Sequence, residues 1–202
     1  FKNKFKPIDA FPSIQWKDAN TFTFELNKKF ISFNTKTMML AIESSRDFGD
    51  ESENMDVAVK TSYVAYTQKN NLFVYDGKNN LIVTNDADEN IVNGKSVHRE
   101  EFGIVKGTFW SPNGNLLAFY RMDQTMVTDY PIIAWTIRPA KNNNIKYPMA
   151  GDKSHEVTVG VYNVKTGLTV FLKTGEPKEQ YLTNIAWSND EQHVYIAVLK
   201  SE

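Results

Sequence analysis

At 202 residues with 41% hydrophobic side chains, the chain is long enough to bury a sizeable core, and its composition carries no mark of disorder. Its 23 basic and 24 acidic residues nearly cancel, which removes any electrostatic case for nucleic acid or for a membrane surface bound by charge. No apolar run approaches the ~20 residues needed to span a bilayer, and with no cysteine there is no disulfide framework from which to read the redox compartment.

The expected elements are short stretches rich in aromatic and β-branched residues, divided by Asn, Asp, Gly and Lys turns, which is an all-β pattern. In the first unit, residues 14–42, Phe22, Phe24 and Leu26 alternate with Thr23 and Glu25 before a turn at Asn27 to Lys29, so one face points inward. DESENMD, residues 50–56, is read as a short helical turn. The second unit, residues 57–84, repeats the scheme and carries Asp76-Gly77, a pair that favours a tight hairpin. A third unit over 107–173 opens with GTFWSPNGNLLAFYRMD, and an incomplete fourth over 184–202 shares its order of aromatic, Ser, polar turn and apolar strand. Repeated four-strand units of roughly 40 to 50 residues mark propeller blades. The expectation is an incomplete β-propeller of about three to four blades of four-stranded antiparallel sheet. Trp16, Trp110 and Trp187 each open an inner strand and are expected in blade cores. An insertion over 125–155, with Pro131, Pro139 and Pro148, should leave the third blade and run over a surface. Its Tyr130 and Trp135 either contact a partner or cover a neighbouring blade.

Three blades and part of a fourth cannot close a ring, so open edges are expected to drive self-association. Phe1 is not an initiator methionine and IAVLKSE stops just after an apolar strand, so a segment of a longer protein is expected.

Chemistry-bearing residues are few. No G-x-S-x-G elbow occurs, and Ser111 and Ser188 fall in blade turns. His98, His155 and His193 match no metal-binding spacing and are expected on loop or strand surfaces, so no metal or cofactor is implied. Arg121 and Asp123 read either as an ion pair that ties the inner strand to the insertion or as funnel-lining residues, and the structural reading is preferred. Glu100 and Glu101 stand out as adjacent carboxylates just upstream of a blade hairpin. Taken alone they fit either a solvated charged turn or a grip for a cation. Successive strand side chains point to opposite faces, so sharing one ligand requires a helical turn or irregular loop over Arg99 to Gly103, with Gly103 easing the return to the sheet. Arg99 is read either as balancing the two negative charges or as an exposed cation.

The run FGIVKGTFWSPNGNLLAFYRMD, followed by VTDYP, IKYPMAG, SHEVTVGVYN and TGEPKEQYLTNIAWSNDE, resembles the N-terminal propeller of bacterial dipeptidyl peptidase IV-type serine peptidases of the prolyl oligopeptidase family. The nearest branch is the one that includes prolyl tripeptidyl peptidase. The likeness is continuous from about Val97 to the C-terminus and looser before it. It implies an eight-bladed propeller packed on a C-terminal α/β-hydrolase domain that carries the Ser, Asp and His triad, so this stretch alone is expected to be inactive. It aligns Glu100 and Glu101 with the double-glutamate motif that captures the substrate's amino terminus. A parent enzyme releasing Xaa-Pro dipeptides or Xaa-Xaa-Pro tripeptides, periplasmic or secreted, follows from the same resemblance. The basic residue that dipeptidyl members use to hold the substrate carbonyl has no clear counterpart; Arg46, in SRDFGDESE, reads as a loop ion-pair residue. The other reading is a non-catalytic propeller that serves as a protein-binding platform.

Overall fold

The structure, a computed structural model, describes residues 14–26, 29–45, 48–49 and 51–200. The chain divides near residue 50 into two compact units. In the first, β1 (Ile14–Trp16), β2 (Thr21–Leu26), β3 (Lys29–Asn34) and β4 (Met39–Ser45) form one antiparallel sheet in sequence order. Its turns are set by side chains. Asp18 Oδ1 accepts from the amides of Asn20 and Thr21 at 2.7 and 2.8 Å, and Asn34 Oδ1 does the same for Lys36 and Thr37 at 3.1 and 2.9 Å. Trp16 departs from the expected core position: on a three-residue edge strand it is 54% exposed, with its ring meeting that of Phe22 edge-on at 5.4 Å. The turn at residues 27–28 and Arg46 lie outside the described residues.

The second unit begins with a sheet of β5 (Ser52–Val57), β6 (Val64–Gln68), β7 (Asn71–Tyr75) and β8 (Asn80–Ile82). Residues 52–56 of DESENMD are therefore strand and not a helical turn. A bulge between Glu53 and Asp56, with Asn54 at φ 52°, interrupts the side-chain alternation and hides the strand from a periodicity reading. The next sheet runs β10 (Thr108–Trp110), β11 (Leu116–Asp123), β14 (Glu156–Asn163), β15 (Leu168–Phe171), and β9 (Ile91–Asn93) also pairs with β11. The insertion leaves that sheet. Its β12 (Asp129–Ala134) and β13 (Lys141–Lys146) form a separate two-stranded ribbon, whose free edges accept Pro131. The chain then makes β16 (Gln180–Trp187) and β17 (Val194–Lys200), paired with each other. Among the described residues no sheet closes on itself, and the architecture is an all-β, incomplete propeller.

β11 is the central strand of the second unit. Leu117 and Phe119 face one way, into a core with Ala65, Leu72 and Val74 of the preceding sheet. Ala118 and Tyr120 face the other way, into a core with Val157, Val159, Leu182 and Ile185. Burial on both faces explains why Leu-Leu-Ala-Phe-Tyr is continuously apolar rather than alternating. Tryptophans tie the sheets together in a repeated manner. Trp110 Nε1 donates to the Asp56 carbonyl at 3.0 Å, and Trp187 Nε1 donates to the Phe109 carbonyl at 2.9 Å, each reaching the first strand of the preceding sheet. Tyr120 adds a buried bond from Oη to the Leu182 carbonyl at 2.6 Å. Burial pushes this phenol up to about 12, so it remains a donor across the physiological range. Tyr120→Phe should lower stability by about 1–3 kcal/mol, because a buried acceptor loses its partner. A lowered thermal midpoint with unchanged far-ultraviolet circular dichroism is the expected reading.

Candidate functional site

The glutamate pair lies on a loop that leaves β11's edge and returns to the same point. One end of β11 pairs with β10, from Thr108 opposite Phe119 to Trp110 opposite Leu117; the far end pairs with β9, from Arg121 opposite Asn93 to Asp123 opposite Ile91. Tyr120 sits at the junction, its amide donating to the Gly107 carbonyl at 3.0 Å and its carbonyl accepting from the Gly94 amide at 2.8 Å. Residues 94–107 thus form an Ω-shaped loop with a closed neck. The neck is so tight that a Cβ on Gly107 would lie 2.2 Å from the Lys95 carbonyl oxygen.

Ion pairs flank that neck. Lys95 Nζ reaches Glu53 Oε2 at 2.9 Å, while Lys106 Nζ and Thr108 Oγ1 both reach Asp56 Oδ2, at 3.2 and 2.9 Å. Beneath, Val97 and Ile104 are buried in the core around Tyr120. Two hydrophobic anchors and two polar feet therefore pin the loop on both sides of its apex.

The apex, His98–Gly103, is a 3₁₀-type turn with unusual backbone. His98, Arg99 and Glu100 lie consecutively in the left-handed region at φ 51°, 54° and 63°; Glu101 is extended, and Phe102 and Gly103 are left-handed again at 53° and 74°. The amide of Glu100 donates to the Val97 carbonyl at 3.2 Å and that of Ile104 to the Glu101 carbonyl at 3.1 Å. The turn expected over Arg99 to Gly103 is present, but its hand is left. Only Gly103 adopts that region freely, and each other left-handed residue costs about 1–2 kcal/mol. Surrounding contacts hold the turn in place. Phe102 packs edge-on against Tyr181 at 4.9 Å, and its carbonyl accepts from Thr183 Oγ1 at 3.3 Å. The Arg99 guanidinium lies 4.0 Å from the centre of the Tyr147 ring and donates to the Lys146 carbonyl at 2.9 Å. Arg99 is thus an exposed cation committed to the ribbon, with no ion pair to either glutamate among the described residues.

Glu100 and Glu101 are both exposed, out of any ladder, and no described hydrogen bond or ion pair occupies their carboxylates. Directly beside them is a feature that sequence reading missed. His98 and His155, expected on the surface, are brought together: His98 is 6% exposed and His155 half-buried, with His98 Nδ1 and His155 Nε2 2.9 Å apart. The Tyr181 ring covers His98 at 4.7 Å. Burial, and secondarily His155, brings His98 down to about 4; burial and Arg99 lower His155, opposed by Glu101. Both rings are neutral at pH 7. One clue to the pair was available: joining β11 and β14 across the insertion pairs Asp123 with Glu156, so His155 lies just past the end of β11, a few residues from Tyr120, where the loop departs.

The remaining candidates resolve as structural groups. Arg121 pairs with Asp86 at 2.9 Å and not with Asp123, because the register of β9 against β11 brings Arg121 opposite Asn93, whose side chain donates to the same carboxylate at 3.0 Å. Asp123 instead accepts from the Thr125 amide and hydroxyl at 2.9 and 2.7 Å. Ser111 and Ser188 close the turns of their hairpins, and His193 is exposed in the second of them. Tyr130 and Trp135 stay exposed on the ribbon, with Tyr130 against Tyr147 at 5.8 Å. Among the described residues no group of three or more His, Cys, Asp or Glu side chains is placed to hold a metal ion.

Fold and site together describe a segment of a β-propeller that presents an acidic loop from the edge of one blade. The sequence model described as the N-terminal region of dipeptidyl peptidase IV (DPP IV) matches residues 14–200, and the chain belongs to this family. A crystal structure from Bacteroides ovatus, assigned as a dipeptidyl aminopeptidase IV, is 46% identical with a TM-score of 0.77, covering 92% of this chain and 26% of that one. Porphyromonas gingivalis dipeptidyl peptidase 4 shares the fold at 21% identity, with a TM-score of 0.70 over 92% of this chain and 26% of that one. Dipeptidyl aminopeptidase B of Saccharomyces cerevisiae is 30% identical over 162 residues, 72% of this chain and 20% of the relative. The chain therefore spans about a fifth to a quarter of the length of these relatives. Among the described residues no helix is long and apolar enough to cross a membrane.

Proposed function

We propose that the chain is part of the substrate-gating propeller of a serine exopeptidase, in which Glu100 and Glu101 hold the α-ammonium of a peptide's amino terminus. The observation that supports this most is the closed-neck loop: it lifts two adjacent carboxylates out of the sheet, leaves them without partners among the described residues, and holds their turn over a buried imidazole. An α-amino group titrates near pH 8, so at neutral pH it is mostly an ammonium able to donate charge-assisted hydrogen bonds to both groups. At about 4 Å and an effective dielectric near 20, one such contact is worth up to ~4 kcal/mol before desolvation is subtracted. Holding the ammonium at a set distance from a nucleophile acts as a ruler, so that only bonds near the free end of a chain are cut.

The nucleophile, general base and oxyanion hole belong to an α/β-hydrolase domain of the parent chain, since no G-x-S-x-G elbow lies in these 202 residues. The matched relatives support a dipeptidyl peptidase-type exopeptidase; within that class the parent is proposed to release Xaa-Pro dipeptides or Xaa-Xaa-Pro tripeptides, in a periplasmic or secreted setting. This segment alone should be inactive, and its open blade edges should pair with one another. The full-length protein should cleave peptides with a free amino terminus and leave their N-acetylated counterparts intact. Equal hydrolysis of both would end the ammonium-anchor reading.

A further inference from the structure

The His98–His155 contact lies directly under the carboxylate turn and has a simple proton requirement. With His98 Nδ1 and His155 Nε2 2.9 Å apart, one nitrogen donates and the other accepts, so a single proton fits between them. His98 Nε2 is buried without a hydrogen-bond partner. The arrangement with His98 Nδ1–H donating leaves a lone pair rather than an N–H unpaired there, which is the less costly choice. A further proton must then enter the N···N contact itself, or sit on His98 Nε2 with no acceptor. The charged groups around the pair do not ease this. Arg99 from the same turn is cationic and lowers His155 further, while Lys146 from β13, which lines a shared cleft of about 220 Å³ with both histidines, is already paired with Asp129 at 3.2 Å. Glu101 alone favours a charged His155. Tyr181 contributes a ring face; Glu156 is engaged with Lys178 and Glu179 with the Ser154 amide.

His98 is also the first left-handed residue of the turn, so its ring and the turn's hand are fixed together. Resting on the ammonium-anchor reading for its consequence, we infer that His98 and His155 are positioning residues: as a neutral pair they hold the carboxylate turn in its left-handed form, and a proton on the pair releases it. Acid then weakens capture of a peptide amino terminus through the geometry of the turn.

The sign follows from linkage. A released histidine titrates near 6.5, and His98 in place titrates at about 4. The held form has its full advantage above pH 6.5, and loses about tenfold per pH unit as pH falls toward 4, where the loss is complete.

The test uses the full-length protein between pH 7.5 and 4.5. Hydrogen-exchange protection of residues 98–105, corrected for intrinsic rates, reads the turn, and calorimetry with Ala-Pro or Ala-Ala-Pro, whichever the protein releases, reads capture. Wild type should lose protection by up to tenfold per unit below pH 6.5, with affinity falling in parallel. His98→Asn offers an amide at the Nδ1 position without titrating, and His155→Gln does the same at Nε2; either should flatten the protection profile, and with it the part of the affinity loss that follows the turn. A wild-type protection profile that stays level, or one that both variants reproduce unchanged, overturns the inference. If the variants flatten protection but Glu100→Gln and Glu101→Gln leave affinity intact, the positioning role stands and the ammonium reading falls.

Discussion

Replacing Glu100 or Glu101 with Gln in the full-length protein should lower kcat/KM for peptides with a free amino terminus by about 10- to 100-fold. Glutamine keeps the size and a hydrogen-bonding oxygen but removes the charge, so the loss is that of a charge-assisted bond, about 1.5–3 kcal/mol. Most of the change should appear in KM. The ammonium is held equally in the bound substrate and in the transition state, and loss of such uniform binding leaves kcat in place. The effect should be confined to binding, because both side chains are exposed and bond to nothing among the described residues; folding stability should stay within about 0.5 kcal/mol of wild type. Hydrolysis of N-acetylated peptides, already low, should not fall further. Unaltered KM in both single variants would remove the pair from substrate binding.

Gly107→Ala should be among the most damaging single-methyl changes in the chain. The added carbon would lie 2.2 Å from the Lys95 carbonyl oxygen and 2.4 Å from the backbone carbons of Gly94 and Lys95. These are main-chain atoms on the opposite side of the loop neck, pinned by the bonds of Gly94 and Gly107 to Tyr120 and by the Lys95–Glu53 and Lys106–Asp56 ion pairs. No side chain can rotate aside. Relief requires opening the neck, which breaks one or both backbone bonds at Tyr120 and disturbs the core around Val97 and Ile104; a cost of about 3 kcal/mol or more is expected. Limited proteolysis should find new cuts within residues 94–107, and the protein should lose its preference for free amino termini. Gly103→Ala is the control. Nothing lies within 4 Å of its added carbon, so its cost is the left-handed strain alone, about 1 kcal/mol. Equal midpoints for the two variants would show that the neck is not closed as described.

The blades were legible because their causes are local. Two-residue alternation, β-branched and aromatic content, and turn-forming side chains such as Asp76, whose Oδ1 accepts from the Lys78 and Asn79 amides at 2.8 and 2.7 Å, act within a few residues. Where the pattern was broken locally the reading failed, as in β5, whose bulge turned a strand into an apparent helical turn. Trp16 failed for another reason: an aromatic residue opening a strand is buried only if a neighbouring surface covers it, and on its edge strand Trp16 stays 54% exposed.

The site divides along the same line. That Glu100 and Glu101 had to leave the ladder to act together follows from side-chain geometry on a strand, and it could be stated from two adjacent letters. The left-handed turn, the closed neck at Gly107, the His98–His155 pair across 57 residues and the Arg121–Asp86 bond across 35 were decided only when β11 took its register against β9, β10 and β14. Local preference extends over one turn of chain; proton sharing between two imidazoles and the clearance at a glycine depend on which distant backbones the sheet brings within hydrogen-bonding distance.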